Sequence, residues 1–112
     1  MTKEKPATIE SPPGGWGAFL NKHFESRVRL GIMSLLMINE HVDFNTVKEA
    51  LQVTDGNLAS HINGLEKESY IEVMKEFVGK KPRTSFKATA SGRKAFTEHL
   101  DALENLIKMN QK

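Results

Sequence analysis

The hydrophobic period of this chain changes twice along its length, and the two changes leave few folds open. Up to Lys67 the apolar residues recur at spacings of three and four, as on one face of a helix. From Ile71 the spacing becomes two: Ile71, Val73 and Phe77 alternate with Glu72, Met74 and Glu76, and Thr84, Phe86 and Ala88 alternate with Arg83, Ser85 and Lys87. A period of two puts each set on one face of a strand, and Gly79-Lys80-Lys81-Pro82 supplies the glycine and proline of a hairpin loop between the two strands. Beyond Thr89, a suitable N-cap, Phe96, Leu100, Leu103, Leu106 and Ile107 return to a near-heptad spacing. The chain is therefore mainly α, of the α+β kind, with one β-hairpin set between helices.

Ahead of the hairpin, Phe24, Val28, Ile32 and Leu35 or Leu36 form a stripe that Met33, Met37 and Ile38 widen, which predicts a buried helix beginning near Phe19. Asn39 to Asp43 is polar, and Phe44 suits a lone buried anchor in a very short strand or extended link. Asn45 is the expected N-cap of a two-turn helix from Thr46 to Leu51, with Val47, Ala50 and Leu51 turned inward. The turn Gln52-Val53-Thr54 then opens a further helix, which Thr54 can cap. There Leu58, Ile62 and Leu65 face inward and leave Asp55, Asn57, Ser60, Asn63 and Lys67 on another face. Two helices joined by so few residues are a helix-turn-helix, and the polar face of the second, residues 54–69, is that of a helix that reads DNA.

A length of 112 residues fits one domain. Its prolines and glycines crowd into the beginning, around Ser11-Pro-Pro-Gly-Gly-Trp-Gly17, so residues 1–18 are expected to be a flexible arm, 19–109 the folded domain and 110–112 a tail. Trp16 fits loose packing against a helix or partner better than a stacking role. With no cysteine there are neither disulfides nor thiolate ligands. The chain has no apolar run of the roughly 18 residues a membrane span needs and no apolar core of a secretory signal, so the expected location is cytoplasmic. A net charge of +2 says little, but its distribution says more. Between Phe77 and Thr97 the chain carries Lys80, Lys81, Arg83, Lys87, Arg93 and Lys94 and no acid, just after Glu66, Glu68, Glu72 and Glu76.

The element order of helix, link, helix, turn, helix, strand, basic loop, strand and helix is that of a winged helix-turn-helix. On Arg27-Val-Arg-Leu-Gly-Ile32, Thr54-Asp-Gly-Asn-Leu-Ala-Ser-His-Ile62, Leu65-Glu-Lys-Glu-Ser-Tyr-Ile71, Phe77-Val-Gly-Lys-Lys-Pro-Arg-Thr84 and Thr89-Ala-Ser-Gly-Arg93, the chain resembles small bacterial transcriptional regulators of the MarR and ArsR kind. Ser69 departs from the glycine such proteins usually carry before the strand. The resemblance implies a homodimer on a partly palindromic operator, with two recognition helices in successive major grooves about 34 Å apart. The terminal helices would form the dimer, through Phe96, Leu100, Leu103, Leu106 and Ile107. It further implies release by a small-molecule or protein effector and no cofactor.

The candidate DNA-contacting residues are Thr54, Asp55, Gly56, Asn57, Ser60, His61, Asn63 and Lys67 on the helix, with Lys80, Lys81, Arg83 and Thr84 on the wing, residues 78–84. Asn57 and Asn63 suit paired hydrogen bonds to adenine edges, and Ser60 suits base or phosphate. Asp55 favours the helix dipole whether or not DNA is present, and His61 fits a structural hydrogen bond better than a ligand role. Three adjacent charges at the wing tip serve no structural need, whereas phosphates would use them. No nucleophile motif, phosphate loop or paired carboxylate suggests an enzyme, and His23, His41, His61 and His99 lack metal-ligand spacing. The competing assignment is a winged-helix protein-interaction module that never binds DNA.

Overall fold

The computed structural model describes residues 20–109, so the arm with Trp16 and the tail 110–112 lie outside the described residues. A short 3-10 turn, Lys22–Phe24, leads into α1 (Arg27–Ile38), followed by β1 (Val42–Asp43), α2 (Phe44–Leu51), α3 (Asp55–Lys67), β2 (Ile71–Val78), β3 (Lys81–Ala88) and α4 (Ala90–Met109). The strands form one antiparallel sheet in the order β1-β3-β2.

Three boundaries differ from the sequence expectation, each for a local reason. The first helix starts at Arg27 because Ser26 Oγ accepts the amide protons of Val28 and Arg29 at 3.2 and 3.3 Å. Phe24 reaches the same core from the 3-10 turn, meeting Phe96 edge to face at 5.2 Å. The second helix is capped by Asp43, two residues before Asn45: the Asp43 carboxylate accepts from the Thr46 amide at 3.3 Å and from its hydroxyl at 2.6 Å. Phe44 is thus the first residue of α2, and Ala50 is exposed. The hairpin loop shrinks to Gly79-Lys80, with Gly79 at φ 67°, and Pro82 lies inside β3 opposite Phe77. A third strand, β1, also joins the expected hairpin, pairing Val42 with Phe86 and Asp43 with Ser85.

The core is where the helical stripes meet the inner face of the sheet. Phe24, Ile32, Met33, Leu36, Val47, Leu58, Leu65, Phe86 and Phe96 are all buried there. Ile38, grouped with the first helix's stripe by spacing, is 81% exposed at the end of α1. Thr89 caps α4 as expected: its Oγ1 accepts the Gly92 amide at 2.9 Å and donates to the Ser69 carbonyl at 2.6 Å.

Ser69 closes α3 in the left-handed region, φ 63°. Its amide donates to the Glu66 carbonyl at 2.9 Å and the Tyr70 amide to the Leu65 carbonyl at 3.0 Å, the paired bonds of a Schellman motif. A side chain at this φ carries a steric cost that glycine escapes. Ser69→Gly is therefore expected to stabilise the fold by about 0.5–1 kcal/mol after glycine's larger unfolded-state entropy is counted. A urea midpoint that fails to rise would show that the strain is already relieved.

Candidate nucleic-acid interface

The polar face of α3 is open. Asp55, Gly56, Asn57, Ser60, Asn63 and Lys67 are all exposed, while Leu58, Ile62 and Leu65 hold the opposite face in the core. Thr54 is committed to the fold as the N-cap, its Oγ1 accepting the Asn57 amide at 3.1 Å. Asp55 pairs with Lys48 of α2 at 2.7 Å, which ties the two helices of the turn together and matches the dipole role expected of an acid in the first turn. A Cβ on Gly56 would meet nothing within 4 Å, so the start of the helix is bare.

His61 is held from behind. Arg29 of α1 donates through Nε to His61 Nδ1 at 2.9 Å and through Nη1 to the His23 carbonyl at 3.3 Å. Burial, with the Arg29 cation adding to it, pushes the His61 pKa down, so the ring stays neutral and carries its proton on Nε2. The same guanidinium lies where a Cβ of residue 64 would be, which explains Gly64 inside a helix. Arg29 thus clamps α3 against α1; no sequence period announced it, because its partner on α3, His61, is 32 residues away.

The wing carries exposed positive charge. Lys80, Lys81 and Arg83 are exposed, and no ion pair among the described residues engages them. Thr84 is half-buried at the wing base. Two other members of the basic stretch serve the fold. Lys87 pairs with Glu72 across the sheet at 3.4 Å, and Arg93 donates to the Leu36 and Met37 carbonyls at 3.0 and 3.3 Å, capping the end of α1. Arg83 also helps hold the Asp43 carboxyl below its ordinary value, after the larger effect of the Thr46 hydroxyl bond.

Of the five apolar residues assigned to pairing along α4, Phe96 is spent on the chain's own core at 1% exposure. Leu103 and Leu106 are half-buried, and Leu100 and Ile107 are 42% and 56% exposed. The inward face of α4 is completed by His99, whose Nδ1 accepts the Asn21 amide at 2.9 Å while the Asn21 side chain donates to the Tyr70 hydroxyl at 2.9 Å. Burial lowers the His99 pKa against a smaller opposing effect of Glu25, so it too is a neutral structural acceptor. Among the described residues no cluster of histidines and acids suits a metal ion, and no helix is long and apolar enough to cross a membrane.

This arrangement recurs in known proteins. The chain is 38% identical over 87 residues to an uncharacterized protein of Methanocaldococcus jannaschii, an alignment covering 78% of this chain and 95% of the relative. Its fold is similar to that of a transcriptional regulator homologue from Pyrococcus horikoshii, with a TM-score of 0.77 and 29% identity, over 86% of this chain and 96% of that one. A putative MarR-family transcriptional regulator from Porphyromonas gingivalis shares the fold more distantly, with a TM-score of 0.55 and 17% identity, over 81% and 86% of the two chains. A family model described as a winged helix DNA-binding domain matches residues 28–107, from the first turn of α1 almost to the end of α4. The chain belongs to the winged helix DNA-binding domain family, a family of regulators and not of enzymes.

Proposed function

We propose that this protein is a cytoplasmic transcriptional regulator that binds double-stranded DNA sequence-specifically as a homodimer on a partly palindromic operator. The observation that carries this reading is the exposed charge of Lys80, Lys81 and Arg83, in no ion pair among the described residues, on a wing whose neighbouring helix α3 leaves Asn57, Ser60, Asn63 and Lys67 exposed. In this reading α3 lies in the major groove with Asn57 and Asn63 on base edges, and Ser60 and Lys67 set the register on the backbone. The wing holds phosphates or the minor groove. Leu100, Leu103, Leu106 and Ile107 pair α4 with that of a second copy; a 20-residue helix is about 30 Å long, comparable to the spacing of successive major grooves.

The test is selection of duplexes from a random pool by the full chain, repeated with Asn57→Ala. The native chain is expected to enrich a sequence with two related half-sites, and the variant to relax one position in each at a cost of about 1–3 kcal/mol in discrimination. A uniform loss over all sequences would demote Asn57 to backbone positioning. No retention on any duplex at low salt would favour the protein-interaction module instead.

A further inference from the structure

We propose that Phe77, backed by Pro82, is an apolar wedge that enters the DNA minor groove at the wing tip and opens a base step there. The inference rests on the DNA-binding reading above and adds a residue and a mode of recognition to it.

By period, Phe77 shares a face with Ile71 and Val73, and that face belongs to the core. The strands, however, outrun the core: Ile71 is 2% exposed, Val73 is half-buried and Phe77 is 73% exposed. An aromatic ring is thus carried out of the protein on a projecting hairpin. Its backing is built in. Closing the two-residue turn makes Val78 and Lys81 the hydrogen-bonded pair, so Phe77 and Pro82 form the next, non-hydrogen-bonded pair, whose side chains sit closest. Proline at that register costs no bond of the β2–β3 ladder. Its missing donor faces the outer edge of β3, where β1 reaches only Ser85 and Phe86. The result is a stiff ridge of ring against ring, with Val78, 55% exposed, on the other side of the tip.

The charge around the ridge selects its partner. Lys80 follows in the turn, and the exposed Lys75 shares the face of Phe77 by alternation. Lys81 and Arg83 stand on the other face of the same tip, and the acids Glu72 and Glu76 also fall on that other face, Glu76 across from Arg83. A second copy would bring the same cations against it, whereas a polyanion is attracted and presents apolar sugar walls and base faces within its groove. Apolar wedges of this kind partly unstack a base step and kink the duplex toward the major groove. The cost depends on the step, being least for flexible pyrimidine–purine steps, so the wing adds sequence preference at positions α3 never touches.

The experiment uses the tightest-binding duplex recovered from the random pool, resynthesised with 2-aminopurine at each pyrimidine–purine step in turn. With the native chain, fluorescence is expected to rise several-fold at one step in each half-site, reporting lost stacking. Phe77→Ala is expected to abolish the rise and weaken binding about tenfold, as for loss of one base–aromatic contact. Phe77→Leu, still a wedge, should keep most of both. Because Phe77 is exposed, thermal denaturation should be unchanged in both variants. Salt-dependent binding with no fluorescence change at any step would overturn the wedge while leaving the DNA-binding reading intact, and absence of binding would overturn both. Loss of the dimer in Phe77→Ala without DNA would assign the ridge to a second copy and overturn the proposal.

Discussion

Gly92→Ala is expected to destabilise the fold by about 3 kcal/mol or more, read as a fall in the urea midpoint. Gly92 is buried in the first turn of α4, and a Cβ there would collide with the carbonyl carbon and oxygen of Tyr70. That carbonyl is backbone and cannot swing aside. It also accepts the Thr89 amide at 3.1 Å, beside the Thr89 hydroxyl bonds to Ser69 and Gly92, so the start of α4 and the end of α3 are braced at one point. Relieving the clash means lifting α4, which would loosen Phe96 from Phe24 and His99 from Asn21. Alanine's better helix propensity, worth about 1 kcal/mol over glycine, is too small to offset this. The same change at Gly56, where a Cβ meets nothing within 4 Å, isolates the cause and should leave the midpoint equal or higher. Equal effects at the two positions would show that the contact with Tyr70 yields without cost.

What the sequence made legible was periodic or local. The stripe Leu58, Ile62 and Leu65, the caps Thr54 and Thr89, and the alternation from Ile71 to Ala88 each depend on residues within a few positions of one another, and each stands in the structure. The departure at Ser69 marked one of the residues that take a positive φ. Contacts across the chain left no such trace. Arg29 gripping His61, Arg93 capping α1 and β1 pairing with β3 join segments more than thirty residues apart. Apolar pattern also reports which face a residue takes but not where the core ends along a strand or helix. Phe77 follows Ile71 and Val73 in period and yet lies outside, while Phe96 heads the α4 stripe and yet is wholly consumed by the chain's own core. Charge behaved likewise, with Lys80, Lys81 and Arg83 left without ion partners and Lys87 and Arg93 enlisted by the fold.

Replacing Lys80, Lys81 and Arg83 together with alanine is expected to remove most of the salt dependence of DNA binding. If each protomer neutralises about three phosphates, the dimer releases about six counterions, and raising salt from about 50 to 200 mM should weaken the native complex roughly a thousandfold. With about two of those three contacts supplied by the wing, the triple variant keeps about two per dimer, and the same change in salt should weaken it only about tenfold. At low salt the variant should therefore be much the weaker binder, and the two should converge as salt rises. The ranking of sequences should survive, because phosphate contacts position the protein without carrying sequence information. Folding is not expected to confound the measurement, since all three side chains are exposed and in no ion pair among the described residues. Fluorescence anisotropy on one selected and one scrambled duplex at several salt concentrations makes the comparison. A variant that keeps the native slope would show that the wing never touches the backbone, leaving Lys67 and the start of α3 to supply the charge. A variant that changes sequence preference would place Lys80, Lys81 or Arg83 on base edges instead of phosphates.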